Sequence, residues 1–343
     1  MTFDRTTQKD FERLVLHYRE QRRHLPWRGD SDPYPVLVSE MMLQQTRVET
    51  VIPYYQRFLT RFPTLGALAA ASLDQVLAAW SGLGYYRRAR LLHRTARLLA
   101  ERGGTFPCTE DELRRLPGVG EYTAAALASI AFDRPAVALD GNALRVFTRY
   151  FGIADDPRSA RTRRALRGRV LPAIPPASAA DFTQAVMELG ALQCAVRQPA
   201  CRSCPLSPGC RARAEGEPER YPAPSPRRPQ VRLESAAARI EHQGCVCLVQ
   251  SLGGTGLLEG MWLCPAVELL PGQDPRQELE KLSSLELLRE LGEVRHSITF
   301  RRIRCRVFLA RPRGPGLAGG RWFAPVELQS LPLPSFVRRI LTL

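Results

Sequence analysis

The sequence predicts a mainly α-helical first region followed by a second domain that contains β-strands, and three observations carry that expectation. Apolar residues recur at helical spacing to about residue 210, with no strand-like alternation. A stretch holding Pro218, Pro222, Pro224, Pro226 and Pro229 among Glu, Arg and Ser then breaks the pattern, as an extended linker does. Beyond it a period of two sets in. In chain order, Ser72 with Gln75 and Thr109 with Glu112 read as capping boxes that open helices, and Gly103-Gly104 closes the helical run from Tyr85 to Glu101. In the last third, Ile303, Cys305, Val307 and Leu309 alternate with Arg302, Arg304 and Arg306, which predicts a half-buried strand with a basic outer face. The expected division is therefore 1–212, a linker over 213–232, and 233–343.

Composition narrows the function. With 44% hydrophobic and 24% charged residues the chain has the makeup of a folded globular protein rather than a disordered one. A net charge of +15 favours a polyanionic partner, either nucleic acid or an anionic membrane face. The surplus is largest before residue 211, where 29 basic residues meet 20 acidic ones. No run of about 18 apolar residues occurs, and the polar start MTFDRTTQKDFERL is unlike a signal peptide, so a cytoplasmic protein without membrane attachment is expected. Lysine occurs only at Lys9 and Lys281, so nearly every positive charge is arginine and an amine nucleophile has two candidates.

Two local patterns carry chemistry. Of nine cysteines, Cys194, Cys201, Cys204 and Cys210 fall within seventeen residues at spacings of six, two and five. A reducing compartment argues against disulfides, and the long arms fit two close Cys-x-x-Cys zinc pairs poorly, so the spacing leans toward a [4Fe–4S] cluster while leaving zinc open. Cys108, Cys245, Cys247, Cys264 and Cys305 stand on apolar stretches and read as small buried hydrophobes. The second pattern is the turn Leu116-Pro117-Gly118-Val119-Gly120 between two helical runs, leading into Glu121, Tyr122 and Thr123. Gly118 and Gly120 let the backbone turn sharply and approach a ligand, and the next helix starts with free N–H groups, which together form an anion-binding device suited to a DNA phosphate. Alone, the same turn is also an ordinary helical hairpin.

Leu-Pro-Gly-Val-Gly, Asp140 some twenty residues on, and the four-cysteine set together resemble the helix-hairpin-helix superfamily of DNA glycosylases with an iron–sulfur cluster. Leu25-Pro26-Trp27-Arg28, Ser39-Glu40-Met41-Met42-Leu43-Gln44-Gln45-Thr46, Gly82-Leu83-Gly84-Tyr85-Tyr86 and Leu139-Asp140-Gly141-Asn142 resemble its adenine-releasing MutY branch, over the whole first region. Residues after the linker, chiefly Gly256 to Trp262, resemble that branch's Nudix-like carboxy-terminal domain more weakly. The resemblance implies a helix-hairpin-helix glycosylase fold with a [4Fe–4S] module on Cys194, Cys201, Cys204 and Cys210, followed by an α+β Nudix-like DNA-recognition domain.

It also implies roles. Breaking an N-glycosidic bond calls for an acid at the departing base and a negative charge near the cationic sugar. By resemblance Glu40 protonates adenine and handles the water, Asp140 stabilises the sugar, Asn142 orients both, and Tyr122 stands at the site wall. On residue type alone Glu40 is a helix-surface carboxylate and Asp140 a helix cap. The lyase branch carries a lysine where this chain has Tyr122, so hydrolysis without strand cleavage is expected. Arg28, Gln45, Thr46, Leu83, Gly84 and Tyr85, with the hairpin residues Gly118, Val119, Gly120 and Thr123, are the implied DNA contacts, Gln45, Leu83 and Tyr85 being probes around an adenine extruded from the stack.

The expected substrate is duplex DNA with adenine opposite 8-oxoguanine or guanine, bound by a monomer. The opposite-base loop of the family carries Phe-Ser-His. Here the stretch is His296-Ser297-Ile298-Thr299-Phe300, in which Thr299 keeps the hydroxyl and the trio's own histidine is missing, leaving His296, Ser297 and Thr299 as the candidate contacts. Leu287 to Glu293 lacks the adjacent glutamates of a Nudix magnesium site, so this domain is expected to recognise DNA rather than hydrolyse pyrophosphate. Two rival readings are a bifunctional glycosylase/lyase for oxidised pyrimidines, disfavoured by Tyr122, and a non-catalytic iron–sulfur DNA-binding or redox-sensing protein, which has no need of both Glu40 and Asp140.

Overall fold

The computed structural model describes all residues except 1–4, 30, 224–228, 252–257, 283–284, 299, 315–316, 318 and 330. Two compact units emerge, one of residues 1–59, 64–66 and 94–226, the other of 60–63, 67–93 and 227–343. Thus 67–93, which linear order assigns to the first region, packs with the carboxy-terminal residues. The reason is a shared polar seam: the Ser81 hydroxyl donates to the Leu333 carbonyl at 2.9 Å, and Arg338 Nη2 donates to Ser81 Oγ at 3.1 Å.

The helices of the amino-terminal half are α1 (Arg5–Gln21), α2 (Pro33–Leu43), α3 (Val48–Arg61), α4 (Leu65–Ala70), α5 (Leu73–Trp80), α6 (Arg87–Glu101), α7 (Glu110–Leu113), α8 (Glu121–Ile130), α9 (Gly141–Phe151), α10 (Ala160–Val170), α11 (Ala179–Leu192) and α12 (Arg211–Ala214). Ser72 and Gln75 form the reciprocal cap of α5. At α7 only half the expected box forms: the Glu112 N–H donates to Thr109 Oγ1, but the Glu112 carboxylate accepts from the Thr109 hydroxyl at 2.5 Å instead of returning to the backbone. Gly103 and Gly104, at φ 85° and 77°, close α6 in the left-handed region that glycine enters without penalty.

The core of the first unit gathers Phe11 and Tyr18 of α1, Phe147 of α9 and Phe182 of α11, with the Phe11 and Phe182 rings 4.8 Å apart. Two helices are buried on nearly all sides, which is why each positions a polar group so firmly. Asp32 caps α2 by accepting from the Tyr34 N–H, Pro33 occupies its first turn where a donor is not needed, and nine of its eleven residues are buried. Eight of ten are buried in α8.

The first part of the proline-rich stretch is docked rather than extended: it contains helical turns at Arg211–Ala214 and Pro218–Arg220, and Arg149 Nε donates to the carbonyl of buried Tyr221 at 3.0 Å. Pro224 and Pro226 lie outside the described residues.

The carboxy-terminal domain is a seven-stranded mixed sheet, made of β1 (Val231–His242), β2 (Cys245–Gln250), β3 (Trp262–Leu263), β4 (Ala266–Leu269), β5 (Leu285–Ile298), β6 (Arg301–Pro312) and β7 (Gly320–Phe323), with α13 (Pro275–Leu282), α14 (Pro325–Leu328) and α15 (Ser335–Leu341). Strand order is β3-β2-β1-β6-β5, with β4 also on β1, β7 also on β2, and β1 parallel to β6 at the centre. Within the Gly256–Trp262 motif, Gly256 and Leu257 lie outside the described residues.

The expectation of a half-buried strand with a basic outer face changes here. Strand β6 is buried on both faces in its second half, since Cys305 and Val307 join one core cluster and Phe308 and Ala310 another. Its basic face is largely neutralised by β5: Arg306 pairs with Glu290 at 2.7 Å, Arg311 with Glu286 at 2.8 Å, and Arg304 with Glu293. Leu287 to Glu293 forms part of β5, with register shifts at Leu287/Arg289 and Glu290/Gly292, so this segment is a bulged strand.

Gly190 shows how tightly the first unit is packed. A Cβ there would lie 2.6 Å from the Asn142 Cβ and 3.2 Å from its Cα, where α11 crosses the start of α9. Gly190→Ala is therefore expected to cost about 1–3 kcal/mol by overpacking, read as a lowered denaturation midpoint with an unchanged denaturant slope.

Candidate active site

Apolar burial creates the central feature. Glu40 is the one carboxylate on α2, is 4% exposed, and accepts a hydrogen bond from the Tyr122 hydroxyl at 2.8 Å. Tyr122 stands in the first turn of α8, which begins directly after the glycine turn. Asp140 is the N-cap of α9, accepting from the Ala143 N–H at 2.7 Å, so the helix cap and the candidate catalytic carboxylate are the same residue. Glu40, Tyr122, Asp140 and Asn142 all line one cavity of about 820 Å³, a volume within the range of small-molecule sites.

The carboxyls are set apart by their surroundings. Burial pushes Glu40 up to about 7, the charge of Asp140 adds to the rise, and the Tyr122 hydroxyl opposes it by donating to the anion. Burial also raises Asp140, but backbone N–H donors from Ala143 and Asn142, with the charge of Arg145, work against it. Burial and both carboxylates raise Tyr122 well above the ordinary phenol value, so it stays a neutral donor. The arrangement supplies a proton-bearing acid near neutrality beside a second carboxyl held by anion-favouring donors, the pattern of a group that protonates a leaving base next to one that faces a cation.

The wall of this cavity carries an ion-pair network. The Arg28 guanidinium, expected on DNA, is a bidentate partner of Glu188, with Nη1 to Oε1 at 2.9 Å and Nη2 to Oε2 at 2.6 Å. Arg23 donates to the same carboxylate through Nε and Nη2. Burial alone would raise Glu188, but these donors overcome it and hold the carboxyl at about 2. Glu188 and Arg23 went unnoticed in the sequence because neither belongs to a short motif; the sole signal was an acidic residue interrupting the apolar run of α11. Arg145 was also missed. Its Nη2 donates to Asn142 Oδ1 at 2.9 Å and to the Gly190 carbonyl at 2.6 Å, and its Nε donates to the Cys194 carbonyl at 2.8 Å, fixing Asn142 from behind.

The expected DNA contacts divide. Gln45, Thr46, Gly118, Gly120 and Thr123 line the cavity. Gln45 is exposed and sits at φ 57°, a left-handed conformation that costs a residue with a Cβ. Gly118 adopts φ 77°, and Gly120 starts α8 with no side-chain cap. The side chains of Val119 and Thr123 are buried, and Thr123 Oγ1 accepts from Gln44 at 3.3 Å, so at these two positions the backbone is what the hairpin can offer a phosphate. Leu83, Gly84 and Tyr85 belong to the second unit. Leu83 is 6% exposed and so is a core leucine in this state rather than a surface probe, whereas Tyr85 is 38% exposed at φ 49°. His296 and Ser297 lie on β5 instead of a loop. The His296 ring packs 5.3 Å from that of Phe336 and shares a hydrogen bond with Arg339, while Ser297 is exposed. Thr299 lies outside the described residues.

The four clustered cysteines line a second cavity. Among the described residues no three His, Cys, Asp or Glu side chains converge as a single-ion site. Four thiols that share one cavity are a donor set that fits an iron–sulfur cluster. Burial pushes Cys204 up to about 12, a cost that cationic iron would reverse by taking the thiolate, and Arg149 Nη1 approaches Cys194 Sγ at 3.3 Å.

Residues 38–172 match the profile of the HhH-GPD superfamily base excision DNA repair protein, and residues 236–343 match that of the NUDIX domain. The adenine DNA glycosylase of Rattus norvegicus is 35% identical across 95% of this chain and 76% of its own length. That of Homo sapiens is 33% identical across 95% and 72% respectively. Among solved structures, a thermostable thymine-DNA glycosylase superposes with a TM-score of 0.56 at 28% identity, over 61% of this chain and 98% of that one. An endonuclease III solved in a non-covalent DNA complex shares the fold at a TM-score of 0.52 and 22% identity, over 63% and 99%.

The raised Glu40 carboxyl carries a stability cost. The native group holds its proton more tightly than the unfolded one, so native stability falls as pH rises from 4.5 toward about 7 and stays depressed above that. Glu40→Gln is expected to stabilise the fold by up to about 3 kcal/mol at pH 8 and by less than about 0.5 kcal/mol at pH 4.5. Parallel urea melts at the two pH values check this; equal effects at both would refute the burial argument.

Proposed function

The chain belongs to the adenine DNA glycosylase family and excises adenine from DNA in base excision repair, and from that premise we propose that it does so by hydrolysis alone, with Glu40 as the acid and Asp140 as the charge facing the sugar. The single observation that carries the reading is the Tyr122–Glu40 hydrogen bond, which puts a neutral phenol where a lyase needs an amine.

Adenine must first leave the stack to reach the cavity, an extrusion that is easiest where pairing is already weak. The Glu40 carboxyl then gives its proton to adenine, at N7 in this reading. The C1′–N9 bond breaks with its electron pair leaving on the base, and the sugar becomes oxocarbenium-like. The Asp140 carboxylate stabilises that cation across the cavity. Glu40, now ionised and held by the Tyr122 hydroxyl, takes a proton from the water that adds at C1′, which leaves an abasic site and restores the acid.

The opposite base in this reading is 8-oxoguanine or guanine, met by a monomer in the cytoplasm. Support comes from the exposed, strained Gln45 and Tyr85. The absent family trio at Ile298, Thr299 and Phe300, together with the engagement of His296 with Phe336 and Arg339, predicts weaker discrimination for 8-oxoguanine over guanine than an intact loop provides. Cys194, Cys201, Cys204 and Cys210 would hold a [4Fe–4S] cluster, which when bound supplies iron–thiolate bonds that staple the 194–210 loop and takes no part at the sugar.

Single-turnover reactions on duplexes with adenine opposite 8-oxoguanine, guanine, cytosine or thymine test the reading. Adenine release at the first two, with strand breaks appearing only after alkali, is expected; breaks without alkali that trap with borohydride would establish lyase chemistry instead. Glu40→Gln and Asp140→Asn should each abolish release while leaving duplex binding nearly intact. The rate should fall about tenfold per pH unit above about 7 as Glu40 loses its proton. Tyr122→Phe removes a donor that favours the anion, so it should move that limb to higher pH. Cys194→Ser should lose iron and the visible sulfur-to-iron absorbance and weaken DNA binding, and unchanged iron content would refute the ligand assignment.

A further inference from the structure

Within the second unit, the segment after α5 has three positive φ angles in four residues: 100° at Gly82, 77° at Gly84 and 49° at Tyr85. Two are glycines and tolerate this. Tyr85 has a Cβ and does not, so something must hold it there. The residue beneath it is Arg88, which is only 6% exposed, an unusual fate for a guanidinium. Its guanidinium carbon lies 5.3 Å from the Tyr85 ring centroid and 5.5 Å from that of Trp80. Arg88 Nη2 donates to the Gly84 carbonyl at 3.1 Å, and Trp80 Nε1 donates to the same oxygen at 3.1 Å. From the other side, the Gly82 N–H donates to the Tyr86 hydroxyl at 3.2 Å. The turn is thus braced from within while the Tyr85 ring remains open to solvent. Burial lowers Arg88 to about 10, so the group is still a cation at neutral pH and can act through both ring faces.

We propose that Arg88 is a positioning residue for mispair recognition: held against Trp80 and Tyr85 and bonded to the Gly84 carbonyl, it keeps the Tyr85 ring strained and presented for entry into the duplex. This rests on the reading of Tyr85 as a side chain that enters DNA beside the mispair. Binding then costs less ordering, because the conformation already exists in the free protein. A lysine cannot substitute, since it has no planar face to lie on a ring and no rigid fork to reach the carbonyl.

The test is a double-mutant cycle on the full-length chain, reading the ratio of Kd for a matched duplex to Kd for one with adenine opposite 8-oxoguanine. The adenosine carries a 2′-fluoro substituent, whose electron withdrawal prevents base loss during titration. Arg88→Met and Tyr85→Leu should each lower that ratio by about tenfold, and the double variant should fall no further, because one acts through the other. Arg88→Lys should fail to restore the ratio. If Arg88→Met does not fold, Arg88→Lys carries the same cycle. Additive losses, full rescue by lysine, or a ratio unmoved by either single variant would overturn the proposal. A wild-type ratio near one would instead overturn the functional reading beneath it.

Discussion

A carboxyl group on a helix with no other polar purpose governs the site. Helix α2 is apolar nearly all round and is buried nearly all round, so Glu40 is carried into the interior by the burial of its neighbours rather than by any attraction of its own. Desolvation then does what a catalytic acid requires, keeping a proton on a carboxyl at a pH where a solvated one has lost it. Tyr122 is the necessary partner. It satisfies the buried oxygen with one hydrogen bond and keeps the group from rising further, while bringing no amine with it. The remaining parts of the site are arranged around that pair: Asp140 gains its backbone donors by capping α9, and Asn142 is seated where Gly190 lets α11 come close.

The arginines explain how a strongly basic chain avoids flooding its own site with charge. Arg23 and Arg28 are spent on Glu188, and Arg167 is spent on Glu110 and Glu121 at 2.6 Å each. Arg304, Arg306 and Arg311 are answered across the sheet by Glu293, Glu290 and Glu286. Many of the positive charges are therefore architectural. Guanidinium suits this work because its planar fork meets a carboxylate with two bonds at once, as at Arg28 and Arg306. The exposed pairs on the sheet contribute little stability each. The buried carboxylate of Glu188 is a different matter, because removing it would leave two partly buried cations without their partner.

Much of the local structure was legible because its causes are local. The Ser72 cap, the paired glycines after α6, the glycine turn before α8 and the change of period after the prolines all depend on neighbours within a few residues. What the sequence does not show is a fate that depends on distant chain. Leu83 looks like a probe in its motif and is a core leucine in the fold. Arg28 looks like a phosphate contact and is bound to a residue 160 positions away. The β6 face reads as basic until β5 is laid beside it, and residues 67–93 read as part of the first region until the carboxy-terminal chain packs on them.

The sequence by itself determined the change from helical to strand periodicity, the four grouped cysteines and the glycine turn, since spacing and residue type suffice for these, while Glu40, Tyr122, Asp140 and Asn142 stood out only through the motifs' resemblance to a known family. Only the tertiary structure decided which of those carboxyls burial raises, which arginines are already paired, and which loop residue is held in a strained conformation. Those properties follow from burial and from partners brought together across the chain, and neither quantity exists until the chain has folded.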